Sequence, residues 1–237
     1  MSEARRWSPL RLLASFVLAA WAGLFWFLIV SGRSNLYLST RTDWVIPIGA
    51  VVLSAAALGR LFSVRVSSTS ALSRRDLFTS AFMLLPVVVV VALPPTSLGS
   101  FAASRRSSFS SVALSSSPED LATGELSLMD LGGAIRSTDG LNALVERAGS
   151  PVSFDGFVVR DKGMPADEFQ LTRFIVTCCV ADALEVDVRV VGVTPGQFSE
   201  DEWVNVRGTL YPLGSQIVVQ ASEITTIPKP KRPYLTP

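Results

Sequence analysis

Histidine is absent from all 237 residues of this chain. Its absence excludes Ser-His-Asp and Cys-His catalytic pairs and every histidine-based metal site within the chain. Cysteine is nearly absent as well, with only Cys178 and Cys179, which rules out a disulfide-rich scaffold. Charge is scarce, at 17% charged against 49% hydrophobic residues, and there is no Gly-rich phosphate loop. Only a thiol-based redox reaction could be drawn from what is left, so the sequence predicts a protein that is not an enzyme.

The residues that are present are unevenly spread. Mean hydropathy is +0.41, too apolar for an ordinary soluble domain, and most apolar residues fall before residue 100. Residues 1–104 carry nine Arg against Glu3, Asp43 and Asp76, a net +6, whereas residues 105–237 have a net charge of −5. The expected fold class is membrane α plus soluble β. The expected divisions are a membrane domain over 1–98, a Ser-rich linker over 99–136, a β domain over 137–228 and a basic, Pro-rich, disordered tail over 229–237.

Three spans are expected, over about 12–30, 44–62 and 77–93. The first, "LLASFVLAAWAGLFWFLIV", covers roughly 28 Å as a helix, close to one bilayer core. A cleaved signal peptide competes with it, but the apolar run is too long and no small-x-small site ends it. The second runs from Trp44 past a snorkelling Arg60, and its small residues, from Gly49 to Gly59, either let another helix approach closely or simply make a weakly hydrophobic span. The third contains Pro86, which should kink it and free a carbonyl at Phe82. Arg5, Arg6 and Arg11 precede the first span, and Arg60, Arg65, Arg74 and Arg75 lie between the second and third. The positive-inside rule then places the N-terminus in the cytoplasm and everything after residue 94 outside.

Beyond the linker, "ELSLMDLGGAIRS" reads as a short helix ending at Gly132-Gly133. "STDGLNALVERAG" reads as a second, from Asp139 to Ala148, stopped by Gly149. From Pro151 the period switches to two, giving strand candidates over 152–160, 169–179, 184–192, 202–210 and 216–224. In the third, Leu184, Val186, Val188 and Val190 alternate with Glu185, Asp187 and Arg189, a half-buried strand with one wet face. Gly156 and Gly208 interrupt strands as coiled or bulged strands require. Five short strands in about 75 residues predict a small OB-like five-stranded β-barrel, with a β-sandwich as the alternative. An acidic barrel outside the cell has no use for nucleic acid.

Cys178 and Cys179 fall in the second strand candidate, where adjacent residues point to opposite faces. Both thiols can meet one metal ion only if the strand ends or bulges, and "CVADA" is a place for it to break. Four readings stand. One cysteine is core and the other a small surface residue. The two form a vicinal disulfide. They bind a soft metal ion such as zinc, with Asp182 as third ligand. Or they are a redox pair whose thiol pKa is lowered by Arg173. Trp203 reads as a packing or rim aromatic, and Glu200, Asp201 and Glu202 as a solvated turn, with calcium binding a remote alternative.

The segments "NLYLSTRTDWVIPIGAVVLSAAAL", "LLPVVVVVALPPTSLGS" and "FQLTRFIVTCCVADALEVDVRV…DEWVNVRGTL" together resemble the YcgQ-like family of bacterial permease subunits. The resemblance implies a membrane-anchored protein with a C-terminal β domain. It also implies a partner, a multi-pass membrane permease of the YraQ/YcgR type, to which this chain would be an accessory subunit in the lipid bilayer. Some relatives carry histidines between the second and third spans; "FSVRVSSTSALSRRD" here has none, which leaves the cysteine pair as the soft-ligand candidate.

Overall fold

The computed structural model describes residues 6–63, 65–66, 72–94, 96–105, 121, 124–135, 137–214 and 216–237. Much of the expected Ser-rich linker therefore lies outside the described residues. The chain divides into two compact units, Met1–Thr96 and Ser97–Pro237.

The first unit holds α1 (Pro9–Ser31), α2 (Val45–Phe62) and α3 (Arg74–Ala92), each long and apolar enough to cross a membrane. Helix α1 opens with proline in its first turn and stops at Gly32, whose φ of 67° needs a residue without a Cβ. Helix α3 starts three residues before its apolar run because Ser73 and Asp76 form a reciprocal capping box. The small residues of α2 are used only in part. Gly49 lies under the Phe25 ring, where a Cβ would come 2.8 Å from Cδ2, and Ala50 is fully buried. Ala55, Ala56 and Gly59 are exposed. Pro86 lies inside α3. One residue from the Phe82 carbonyl, the Met83 carbonyl accepts a hydrogen bond from the Trp21 indole N–H at 3.1 Å. A side chain of α1 thus bonds backbone in the proline-interrupted turn, next to the carbonyl that Pro86 frees.

Among the described residues, the second unit has three short α-helices, α4 (Ser100–Ala103), α5 (Leu128–Ala134) and α6 (Thr138–Glu146), and five strands. The strands are β1 (Pro151–Val159), β2 (Glu168–Ile175), β3 (Leu184–Val191), β4 (Trp203–Leu213) and β5 (Gln216–Thr226). They close into a barrel of order β1-β2-β3-β5-β4. Pairing is antiparallel except between β3 and β5, and β1 meets β4 to complete the circuit. This is the OB-like barrel expected from the sequence, and the sandwich alternative falls. Helix α6 stops at Glu146, two residues short of the expected end.

Val186, Val188 and Val190 point inward with Phe169, Leu171, Val206, Leu210 and Val219, and Leu128, Leu131 and Leu144 of α5 and α6 join the same core. Each such side chain contributes about 1.5–3 kcal/mol on burial. The register shifts between Arg207 and Gly208, where a Cβ would run into the Gln220 carbonyl. The bulge bends the longest pair of strands, and glycine makes the close approach possible.

A second cluster lies against the barrel, built from Phe157, Phe174, Val176, Trp203, Ala103 and Tyr234. It overturns the expectation of a disordered tail. The Leu235 N–H donates to the Phe174 carbonyl at 2.8 Å and its carbonyl accepts from Val176 N–H at 2.9 Å. Tyr234 is 7% exposed, and its hydroxyl accepts from the Leu98 N–H at 3.0 Å. Prolines and cations around them suggested disorder, but two apolar residues and an open strand edge outweigh that composition. Part of the expected linker is likewise packed: Ala102 and Ala103 belong to this cluster, with Leu98 just before it.

Candidate functional site

The cysteines are not in a strand. Strand β2 ends at Ile175, four residues before the expected boundary, and two interactions end it. Leu235 takes the backbone pairing at Ile175 and Val176, and the Asp182 carboxylate captures the next three N–H groups. Oδ1 accepts from Thr177 at 3.1 Å, and Oδ2 accepts from Cys178 at 2.7 Å and from Cys179 at 3.3 Å. Val180–Asp182 then turn as one 3-10 unit, closed by Asp182 N–H donating to the Cys179 carbonyl at 2.9 Å.

Because the strand has ended, the rule of alternating faces no longer separates the two side chains. The Cys178 and Cys179 sulfurs and a carboxylate oxygen of Asp182 all lie within 4.8 Å of one another. The structure therefore brings together all three residues named from the sequence. Two thiols and a carboxylate are donors that suit zinc and softer ions, one short of the four that a tetrahedral zinc takes. The roles within the group are unequal. A carboxylate offers about four acceptor positions, and three are taken by backbone N–H groups, so Asp182 shapes the turn, and the Cys179 side chain accepts from the Asp182 N–H in return.

The thiol chemistry separates the remaining readings. Neither cysteine is in a disulfide, so the vicinal-disulfide expectation is not met in this structure. Cys178 is exposed and Cys179 half-buried. Desolvation, then the neighbouring Cys179 and Asp182, push the Cys178 thiol above its ordinary value, the opposite of what a reactive thiolate needs. Arg173, expected to lower it, is engaged elsewhere. Its Nε donates to the Pro233 carbonyl at 3.3 Å and its Nη2 to that of Arg232 at 3.4 Å. Its guanidinium lies 5.6 Å from the Trp203 ring centroid. Burial lowers its own pKa, opposed by Asp155.

Trp203 proves to be a packing aromatic, with its ring 5.8 Å from that of Phe157. The acidic run beside it is a hydrogen-bonded turn. Glu202 accepts from Ser199 N–H at 2.9 Å and from the Thr226 hydroxyl at 2.8 Å, which lowers its pKa. Asp201 accepts from the Ser100 N–H at 2.6 Å and from its hydroxyl at 3.0 Å.

One group was missed. Glu185, assigned to the wet face of β3, is 7% exposed. Burial, and then Asp187 and Asp161, push its carboxyl up to about 8. Asp187 is raised by burial and by Asp161 in the same way. The signal lay across the sheet. Glu185 pairs with Phe174 and Asp187 with Thr172, and both partners are buried, so this face of the β2–β3 pair is covered and not wet. The Thr172 hydroxyl has no hydrogen-bond partner among the described residues.

Residues 141–237 match the DUF1980 C-terminal domain family. The chain is also similar to UPF0703 protein YcgQ of Bacillus subtilis (strain 168), at 28% identity over 96 residues, covering 38% of this chain and 34% of that relative. It thus spans about a third of the length of the curated relative it matches. No solved structure matches it. The two matches bear out the resemblance to the YcgQ-like family.

Proposed function

From its likeness to the YcgQ-like proteins, we propose that the chain is an accessory subunit of a bacterial membrane permease. Its three helices dock on a multi-pass partner of the YraQ/YcgR type. Its OB-like domain, on the extracytoplasmic side, gates or assists passage of a solute, and a metal ion is the class its thiols favour. It works by binding and not by catalysing a reaction of its own.

The observation that carries this reading is the open surface of α3. None of its residues is buried, and Phe78, Phe82, Leu85 and Val88 are all exposed. In a bilayer, helices associate through such packing surfaces, and three spans are too few to line a path alone. Purification of the full chain in mild detergent, with mass spectrometry of co-purifying membrane proteins, tests it. A stoichiometric multi-pass permease is expected; a lone, well-folded chain would overturn the subunit reading.

The thiol group favours a second reading, a stand-alone membrane-anchored module that binds a metal ion such as zinc through Cys178, Cys179 and Asp182. Its measurement is the metal content of the wild type against a Cys178→Ser/Cys179→Ser variant. Metal lost with the fold retained supports it, and no difference sinks it. The orientation has its own test. An impermeant maleimide applied to intact cells under reducing conditions should label exposed Cys178, and labelling only after lysis would reverse the topology.

A further inference from the structure

A cavity of about 720 Å³ opens between α4 and the loop after β1, within the ~300–1,000 Å³ range of small-molecule sites. Its wall mixes both signs of charge, with Arg105, Arg160 and Lys162 on one count and Asp161 and Glu200 on the other, beside the ring of Phe101. No contact ion pair joins these charges: among the described residues, the ion pairs are Arg189 with Glu168 and Arg207 with Glu223, neither of them here. Arg160 is anchored by its Nη1, which donates to the Glu168 carbonyl at 2.8 Å, so its charge is fixed in the wall. Phe101 is 70% exposed, and the Arg105 guanidinium lies 4.4 Å from its ring centroid.

Covalent reach narrows what can enter. Seven residues, and so eight Cα-to-Cα steps, separate Ala92, the end of α3, from Ser100, so the chain can carry α4 no further than about 29 Å from the end of that helix. An exposed aromatic with arginine and lysine beside it, tethered this closely to a span, suits the headgroup layer. A polybasic surface for anionic lipid would not carry two carboxylates. A cavity with both signs complements a headgroup with both signs.

We propose that this cavity docks the headgroup of a phospholipid bearing a phosphate and a primary ammonium. Arg105, Arg160 and Lys162 face the phosphate, Asp161 and Glu200 receive the ammonium N–H groups, and Phe101 enters the interface. A quaternary ammonium has no N–H to donate, so the carboxylates distinguish phosphatidylethanolamine from phosphatidylcholine. The docking rests on the reading that α3 spans a bilayer.

The test is hydrogen–deuterium exchange of segments 100–105 and 160–162 in the full chain, reconstituted into nanodiscs of phosphatidylcholine alone or mixed with phosphatidylethanolamine or phosphatidylglycerol. The ethanolamine lipid should slow exchange about fivefold, the scale of one basic contact at a membrane surface. An Arg105→Gln/Lys162→Gln variant, altered at two exposed side chains, should lose that protection while the slow amides of β3 stay unchanged. Equal protection by phosphatidylglycerol would replace the occupant with an anionic lipid, and equal protection by millimolar inorganic phosphate in detergent would replace it with a soluble anion. Either result overturns the proposal, as does no protection at all. A chain that fails to enter the nanodisc sinks the spanning reading as well, whereas one that enters without lipid-dependent protection sinks only the docking site.

Discussion

The Asp182 carboxylate accepts the Cys178 N–H at 2.7 Å, and this contact is the centre of the thiol turn. Oδ2 also takes the Cys179 N–H and Oδ1 that of Thr177, so one side chain holds three consecutive backbone donors. Asp182→Ala should cost about 1–3 kcal/mol, because hydrogen bonds to a charged acceptor are the strong ones. Guanidinium unfolding of the barrel domain measures it. On the reading of the group as a metal site, the same variant should weaken zinc binding by at least about tenfold, the lower scale for loss of a supporting contact. Unchanged stability would mean that the turn holds itself without the carboxylate.

Alkylation reports the state of the thiols. Desolvation, then Cys179 and Asp182, raise the thiol of exposed Cys178 above its ordinary 9.0, so its iodoacetamide rate should rise at higher pH than that of a peptide thiol. Asp182→Asn should shift the profile back down by removing a negative neighbour. A wild-type profile below the peptide reference would contradict the structure and revive the redox reading.

Glu185 makes stability depend on pH in a stated direction. Its carboxyl titrates at an ordinary 4.5 when unfolded and at about 8 in the folded chain, so the folded state favours the protonated form. Its contribution is complete below about pH 4.5, falls by at most about 1.4 kcal/mol per pH unit as pH rises, and is lost above about 8. Thermal melts from pH 5 to 8 should show this decline. Glu185→Gln should flatten it and raise the melting temperature at pH 8. A wild type as stable at pH 8 as at pH 5, with Gln no better, would show that the carboxyl is solvated.

The C-terminal residues should behave as part of the barrel. Leu235→Pro removes the N–H that donates to the Phe174 carbonyl at 2.8 Å, and a cost of about 1–3 kcal/mol follows from the orphaned buried acceptor. Tyr234→Ala opens the second cluster and should cost about 3–5 kcal/mol, as for other buried aromatics. Equal melting curves for wild type and a chain ending at Pro228 would return the tail to disorder.

Much of this was legible along the chain. Long apolar runs bounded by arginine identify helices because backbone in lipid must bond within its own segment. Period two with glycine at Gly156 and Gly208 identifies barrel strands because one face must be apolar and bends need room. The capping box at Ser73 and Asp76 was legible too, and would have moved the start of α3 to its observed place.

The sequence by itself determined the three apolar helices, the five strands and the identity of the three candidate donors, because each depends on local period or residue type. Tertiary structure alone decided where β2 ends, since the competitor for its backbone, Leu235, lies sixty residues away along the chain. The same holds for the burial of Glu185, which depends on its cross-strand partner Phe174. Arg173, two residues before the end of β2, spends its guanidinium on the carbonyls of Arg232 and Pro233 rather than on the thiols. Side-chain and backbone partners far apart in sequence are chosen by closure of the barrel, and no local pattern encodes that choice.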